Sequence, residues 1–518
     1  MSFPASLKPE NGPIGSAIAT WLDFAPSGVA TRFLLLWFVI LWTVFQVLSH
    51  ASTGLDPATL EVYAQGLHPA AGYDLHPPLA GLITAGWFSV FPPTDWTVHL
   101  LAMLNAALGL YGVDLIARRY HEGDKRIAVL MILLLTPFYQ FYGDRFSWPM
   151  TQLSTWPIAT YCFLRAFETR GFAWSVRAGA AAGIALAGDY YAVFLLAGFL
   201  AGALASPAGG AYLRSPSPLI SAVTAVIVLS PHIYWLYSTD FTLFHNIAAQ
   251  LAATPVAEVL KKDAIDVAAT LGYAALILAI WWIVVRPSSE TWREAWRDPE
   301  RSILAAPFVV PLALPAVLAP LIGLVLTPLM SAPGWFLLPI LLLRPKSASL
   351  SRVAAVRLTA LVAALTILAL IAAPLIALQR HATGTADGRE YDRQVAGEIT
   401  NSWHLAAAAP LRIVMGDRNL VAAVAFYSPD QPDPVPDFDL ASTPWVTAED
   451  LQQNGYVIIC TADDQNCTDE ARRRVSGKDN VQFMNFATIN RYLGRPGKLG
   501  RFFFILVAPE TAPRIIIR

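Results

Sequence analysis

Long apolar runs separated by short polar interruptions make up the first three quarters of the chain. The run from Phe33 to Ser49 is close to the ~20 apolar residues that cross a hydrocarbon core. Further runs near 96–117, 126–143, 147–166, 218–237, 264–285, 304–326, 331–343 and 354–377 read as helical spans. Leu79–Phe91 is only about two-thirds of a span, which favours an interfacial or re-entrant helix. From about Leu378 onward the pattern turns polar, with Leu411–Val414, Val421–Phe426, Tyr456–Cys460 and Phe502–Val507 reading as short buried strands. Thr447-Ala448-Glu449-Asp450 reads as a helix start, so the tail is expected to be a small soluble α/β domain of about 140 residues.

Orientation follows from the basic residues. No Lys or Arg occurs between Arg32 and Arg118, which places that stretch on the outer face of the membrane. The clusters Arg118–Arg126, Arg165–Arg177, Arg286–Arg301 and Arg344–Arg357 should then all be cytoplasmic. One helix over Ala178–Ala205 would put the Arg286–Arg301 cluster outside, whereas a hairpin of two short helices restores the parity. Its turn, GDYYA, would carry Asp189, Tyr190 and Tyr191 to the outer face. The sum is a polytopic α-helical membrane protein of about eleven spans, with the loop Ser238–Asp263 and the tail outside. The expected domains are a cytoplasmic lead-in over 1–32, a membrane domain over 33–378 whose outer acidic loop is 51–78, and the α/β domain over 379–518.

Composition narrows the class. With 55% hydrophobic and 14% charged residues and a mean hydropathy of +0.48, a soluble fold would be left with far too much apolar surface. A net charge of −1 argues for no polyanionic partner, and nothing resembles a nucleic-acid footprint. Three cysteines are too few for a disulfide scaffold. Cys162 lies in an apolar run, while Cys460 and Cys467 flank TADDQN and either pair, if the tail is outside the cytoplasm, or remain small buried residues. The N-terminus lacks a cleavable pattern, since its first apolar run is long enough to stay as an anchor.

The polar interruption from Leu55 to Leu79, LDPATLEVYAQGLHPAAGYDLHPPL, carries Asp56, Glu61, Tyr63, Tyr73, Asp74 and His76 without a single cation. Asp56 stands before Pro57, where it either caps a helix or serves as a base, and Glu61 lies further along the same helix. The tyrosines Tyr63 and Tyr73 are either interfacial anchors or ligands. Pro77 and Pro78 fix the backbone where the loop re-enters the membrane and aim the preceding side chains at one spot. Asp144-Arg145 opens a second outer loop, either as a local ion pair or with the arginine placed for bidentate phosphate contact. Asp114, four residues before Arg118, reads as half of an intrahelical ion pair.

An apolar helix, an acidic loop and then GYDLHPPLAGLITAGWFSVFPPTDW together resemble the polyprenol-dependent membrane glycosyltransferases of the GT-C class. The likeness is to the branch of aminoarabinose, protein O-mannosyl and rhizobial galacturonosyl transferases. It extends through DRFSWPMTQLSTWPIATYCFLRAF, GIALAGDYYAVFLL and PHIYWLYSTDF to the tail pieces PLRIVMGD, VAFYSPDQPDPVPDFD and PWVTAEDL. The resemblance implies a multi-pass protein of the bacterial inner membrane. Its implied reaction is transfer of a hexosyl or pentosyl group from a polyprenyl-phosphate donor to an envelope lipid or glycan, such as lipopolysaccharide, at the periplasmic face. A non-catalytic scaffold or envelope-lipid transport protein on the same fold is the alternative. Transfer needs a base, here Asp56 or Glu61, and groups that hold the leaving phosphate, here among His76, Arg145, Tyr73, Tyr190 and His232. Asp74, Asp144 and Asp189 are further candidates.

The chain departs from the family pattern at five polar positions in four places. Leu75 and Asp189 stand where relatives usually carry lysine, Ser147-Trp148-Pro149 replaces an asparagine-x-asparagine motif, and Ala58 stands where an acid is common. Two positive charges are therefore missing near the expected phosphate site. Either Arg145, His76, His232 or a divalent cation (Mg²⁺ or Mn²⁺) on Asp56 and Asp189 holds the phosphate, or the activity has changed. The tail, with turn-rich GDRN and YSPDQPDP loops and no nucleophile–base pair, reads as a lid.

Overall fold

The computed structural model describes residues 12–509 except 142, 144, 299 and 408, and leaves out the side chains of 250, 253, 328 and 329. Among the described residues six helices are long and apolar enough to cross a membrane: Val29–Ser49, Asp95–Tyr120, Ser217–Ser238, Val256–Val285, Arg301–Ile322 and Arg352–Thr383. In Ser217–Ser238 and Val256–Val285 only 11% of the apolar window is buried by the protein, so Val226, Ile227, Trp282 and Ile283 face outward. Outward apolar faces of this extent need lipid rather than water.

Other expected spans are shorter or broken. The 178–205 block is two helices, Phe172–Gly188 and Ala192–Ala205, interrupted at Asp189–Tyr191 where span parity required the turn. The run at 126–143 forms only Asp124–Leu134 and stops before Pro137, which cannot continue a helix. The run at 331–343 is a 3₁₀ turn, Ala332–Phe336, leading into Leu337–Leu343. Trp148–Thr169 is 22 residues long but mostly enclosed by neighbouring helices. Small residues let these helices close up: a Cβ on Gly109 would strike the Leu153 carbonyl, and one on Gly179 the Ser221 carbonyl. Asp114 receives Arg118 at 2.7 Å, as its spacing implied, and also Arg126 at 2.6 Å.

The tail carries one five-stranded sheet in the order β2-β1-β3-β5-β4, with β1 Ile413–Gly416, β2 Asp433–Pro436, β3 Tyr456–Thr461, β4 Val481–Tyr492 and β5 Arg495–Val507. Its β1/β2 and β1/β3 pairs are parallel, and β5 runs antiparallel to β3 and β4. The last long helix runs through position 379 to Thr383, so the sheet domain begins on a continuous helical stem. Cys460 and Cys467 form a disulfide that ties the end of β3 to the helix Gln465–Val475.

One expected strand is corrected. Val421–Phe426 belongs to the helix Arg418–Tyr427, capped by Asp417, whose carboxylate accepts from the Asn419 and Leu420 amides. This helix is buried on two sides. Leu420, Val421 and Val424 pack on the sheet with Val414 and Val457, while Ala422, Ala423 and Phe426 pack on Leu60 and Tyr63 of the acidic loop. A helix covered on both faces loses its 3.6-residue polar stripe and reads as a featureless apolar run. The same burial seats the tail over the loop.

Candidate active site

Asp56 opens the loop helix Pro57–Leu67. Its Oδ1 accepts from the Ala58 amide at 3.1 Å, and its Oδ2 from Arg145 Nη1 at 2.8 Å, with Arg389 of the tail 3.8 Å away. Along this helix the 3.6-residue period sorts two faces. Leu60 and Tyr63 turn to the tail, where the Tyr63 ring meets Phe426 edge-on at 4.8 Å. Glu61, Ala64 and Gln65 share a second face that lines a cleft of about 60 Å³ between loop and tail.

The return segment is held by its aromatics. Tyr73 Oη donates to the Gln65 carbonyl at 2.9 Å and accepts from the Ala70 amide at 3.2 Å, locking the segment to the helix end. Gly72 is pressed against the Trp235 ring, where a Cβ has no room. His76 stacks on Trp148 with ring centres 3.5 Å apart, and Trp148 Nε1 donates to Gln65 Oε1 at 3.1 Å. Pro78 then caps the helix Leu79–Phe88.

The tail closes the cleft. Arg418, the first residue of its helix, donates from Nη1 to Glu61 at 3.1 Å and from Nε to Asp437 at 2.8 Å. Val421, Pro434, Pro436 and Trp445 form the remaining wall, and Trp445 also stacks on His68, which pairs with Asp433 at 2.6 Å. Tyr427 Oη accepts from the Leu55 amide at 3.0 Å and donates to Asp95 at 2.7 Å.

A family model described as dolichyl-phosphate-mannose-protein mannosyltransferase matches residues 75–235, which contain the HPPL segment, the Asp189 turn and His232. The structure of ArnT from Cupriavidus metallidurans bound to undecaprenyl phosphate superposes with a TM-score of 0.58 at 14% identity, over 94% of this chain and 100% of that one. The fold is that of the GT-C glycosyltransferases. The apo form of the same ArnT gives a TM-score of 0.55 at 14% identity, over 92% of this chain and 98% of that one. No curated protein sequence matches. With this fold and its spanning helices the chain is a multi-pass membrane protein.

Within this GT-C fold the residues singled out from sequence separate into groups. Glu61, Tyr73, Asp74 and His76 line the cleft together. Asp56 and Arg145 form an ion pair and are not part of its lining. Tyr190 and His232 act as a prop: His232 Nδ1 donates to the Ala71 carbonyl at 2.7 Å, which leaves Nε2 to accept from the Tyr190 hydroxyl at 2.5 Å. Asp189 caps its own turn, accepting from the Tyr191 amide at 2.8 Å, and Asp74 accepts from Asn246. Asp144 lies outside the described residues. Among the described residues no three His, Cys, Asp or Glu side chains converge as metal ligands, and Asp56 and Asp189 are engaged as just described.

Burial dominates the electrostatics. It pushes the proton affinity of Glu61 up while Arg418 pulls against it, and it raises Asp74, helped by Asp439 and opposed by Asn246. Burial, and then Arg418, brings the His76 pKa down to about 3, so the ring is neutral and can donate only one hydrogen bond. Burial likewise raises Asp189 to about 6.

Sequence reading missed Arg418 and Arg389, which bring tail cations to Glu61 and Asp56. A signal was present: Asp417 before an Ala-rich apolar run is a helix start, and it places Arg418 in the first turn.

Proposed function

We propose that the protein is a membrane glycosyltransferase that moves a sugar from a polyprenyl-phosphate donor to an envelope lipid or glycan, with the loop and the tail on the periplasmic side of a bacterial inner membrane. The observation that carries this reading is the cleft behind the HPPL segment, where Glu61, Asp74 and His76 meet under the tail. The undecaprenyl phosphate bound by ArnT, a protein of the same fold, supports the donor class.

Glu61 is the base. A carboxylate whose proton affinity is raised by burial is a better proton acceptor at neutral pH than an exposed one. It takes the proton of an acceptor hydroxyl as the oxygen attacks the anomeric carbon. The bond from that carbon to the phosphate oxygen breaks, and polyprenyl phosphate leaves carrying the electron pair. Neutral His76, held flat on Trp148, offers a ring N–H to a sugar or phosphate oxygen. Asp56 is assigned to structure, because Ala58, Arg145 and Arg389 already occupy it. Tyr73, Tyr190 and His232 are assigned to holding the loop.

The test is sugar transfer from polyprenyl-phosphate donors by the purified protein, followed by mass spectrometry of envelope lipids. Transfer by the parent supports the enzyme. A folded parent that transfers from no such donor would put the scaffold or lipid-transport reading ahead.

A further inference from the structure

The loop that supplies the acids has no cation of its own between Arg32 and Arg118. Among the described residues lining the cleft the only Lys or Arg is Arg418, which arrives from the tail. From the loop, Leu75 lines the same cleft beside Asp74 and His76 and brings no charge to it. The guanidinium is fixed at two points, Nη1 on Glu61 and Nε on Asp437, and Nη2 has no hydrogen-bond partner among the described residues. A guanidinium has five N–H donors in a rigid fork, so this one is oriented yet has donors to spare.

We propose that Arg418 holds the phosphate of the lipid-linked donor, an assignment that rests on the transfer reaction proposed above. The spare donors meet the phosphate oxygens, and neutral His76 contributes a single N–H from the loop side. The leaving phosphate and the base then share one cation. The tail is accordingly part of the donor site, since without its helix the cleft would present Glu61 and Asp74 to an anion with no Lys or Arg beside them.

Arg393 provides the control. It belongs to the tail and pairs with Asp95, but it does not line the cleft, so its loss reports on docking alone. The experiment titrates full-length protein in nanodiscs with undecaprenyl phosphate and, separately, with undecaprenol, which has the same chain and no phosphate. Arg418→Ala is expected to weaken undecaprenyl phosphate binding roughly 10–100-fold, the scale of a lost hydrogen bond to a charged group. Arg418→Lys should weaken it less, Arg393→Ala by no more than about twofold, and undecaprenol should bind all variants alike. If Arg418→Ala binds the phosphate as the parent does, the phosphate sits elsewhere and the assignment is wrong. If Arg418→Ala and Arg393→Ala weaken it equally, Arg418 acts only by seating the tail, which also overturns the assignment. A parent that does not distinguish the phosphate from the alcohol would remove the donor reading itself, and this assignment with it.

Discussion

The two acids of the helix Pro57–Leu67 begin as equals in sequence and end in different surroundings. Asp56 sits at the N-terminus, where the Ala58 amide, Arg145 and Arg389 take up its oxygens. Glu61 sits one and a half turns on, facing a cleft, with one arginine that it shares with Asp437. An acid used up by its neighbours is part of the scaffold, whereas one left partly served in a buried cleft has proton affinity to spend on a ligand. Five residues of spacing on one helix are enough to separate the two roles.

The largest effect expected outside the cleft comes from the seam that builds the Glu61 end. Phe426 packs edge-on against Tyr63 at 4.8 Å and near Phe88 at 6.2 Å, under the tail helix. Phe426→Ala should lower stability by about 3–5 kcal/mol and loosen the tail from the loop. Hydrogen exchange should then rise in the helices Pro57–Leu67 and Arg418–Tyr427 while Asp95–Tyr120 stays protected. Unchanged exchange at the loop helix would mean that the tail does not support it.

Asp56→Asn sharpens the other end. Asn keeps the cap but loses the charge facing Arg145, so stability should drop by about 1–3 kcal/mol, read as a lower unfolding temperature. Turnover per folded molecule should stay within a few-fold of the parent. A normal unfolding temperature with lost turnover would reverse the roles assigned to the two acids.

A smaller effect is expected on pH dependence. Glu61 works as a base only when deprotonated, so transfer should fall as pH drops through its raised pKa, at a higher pH than for an exposed glutamate. Arg418 favours the charged form, while burial, Asp437 and Asp74 oppose it. Arg418→Lys keeps a charge but places it differently, and the acid limb should move up in pH wherever that contact weakens. An acid limb at the position of an exposed carboxylate in the parent would argue that Glu61 is not the titrating group.

Much of the membrane half was legible because lipid imposes a simple code. Apolar length marked the long helices, and basic loops required the break that appears at Asp189–Tyr191. The pairing of Asp114 with Arg118 followed from spacing alone, but Arg126, from the next helix, did not. The tail was harder. Val421–Phe426 read as a strand because its helix is covered on both faces, and no local pattern reports coverage by a distant loop. For the same reason the acidic loop pointed to Glu61 and His76 but could not announce Arg418, 357 residues away in sequence. The choice between Asp56 and Glu61 also needed the third dimension, because only the positions of Arg145, Arg389 and Arg418 tell them apart.

The contrast between the two acids is tested most directly by single-turnover sugar transfer with saturating donor, comparing the parent with Glu61→Gln and Asp56→Asn and normalising to folded protein. Both amides preserve shape, so the comparison isolates proton affinity. The expected result is a loss of ~10²–10⁴-fold for Glu61→Gln against a few-fold at most for Asp56→Asn. Parent-like turnover in Glu61→Gln, or the larger loss falling on Asp56→Asn, would contradict the assignment of Glu61 as the base.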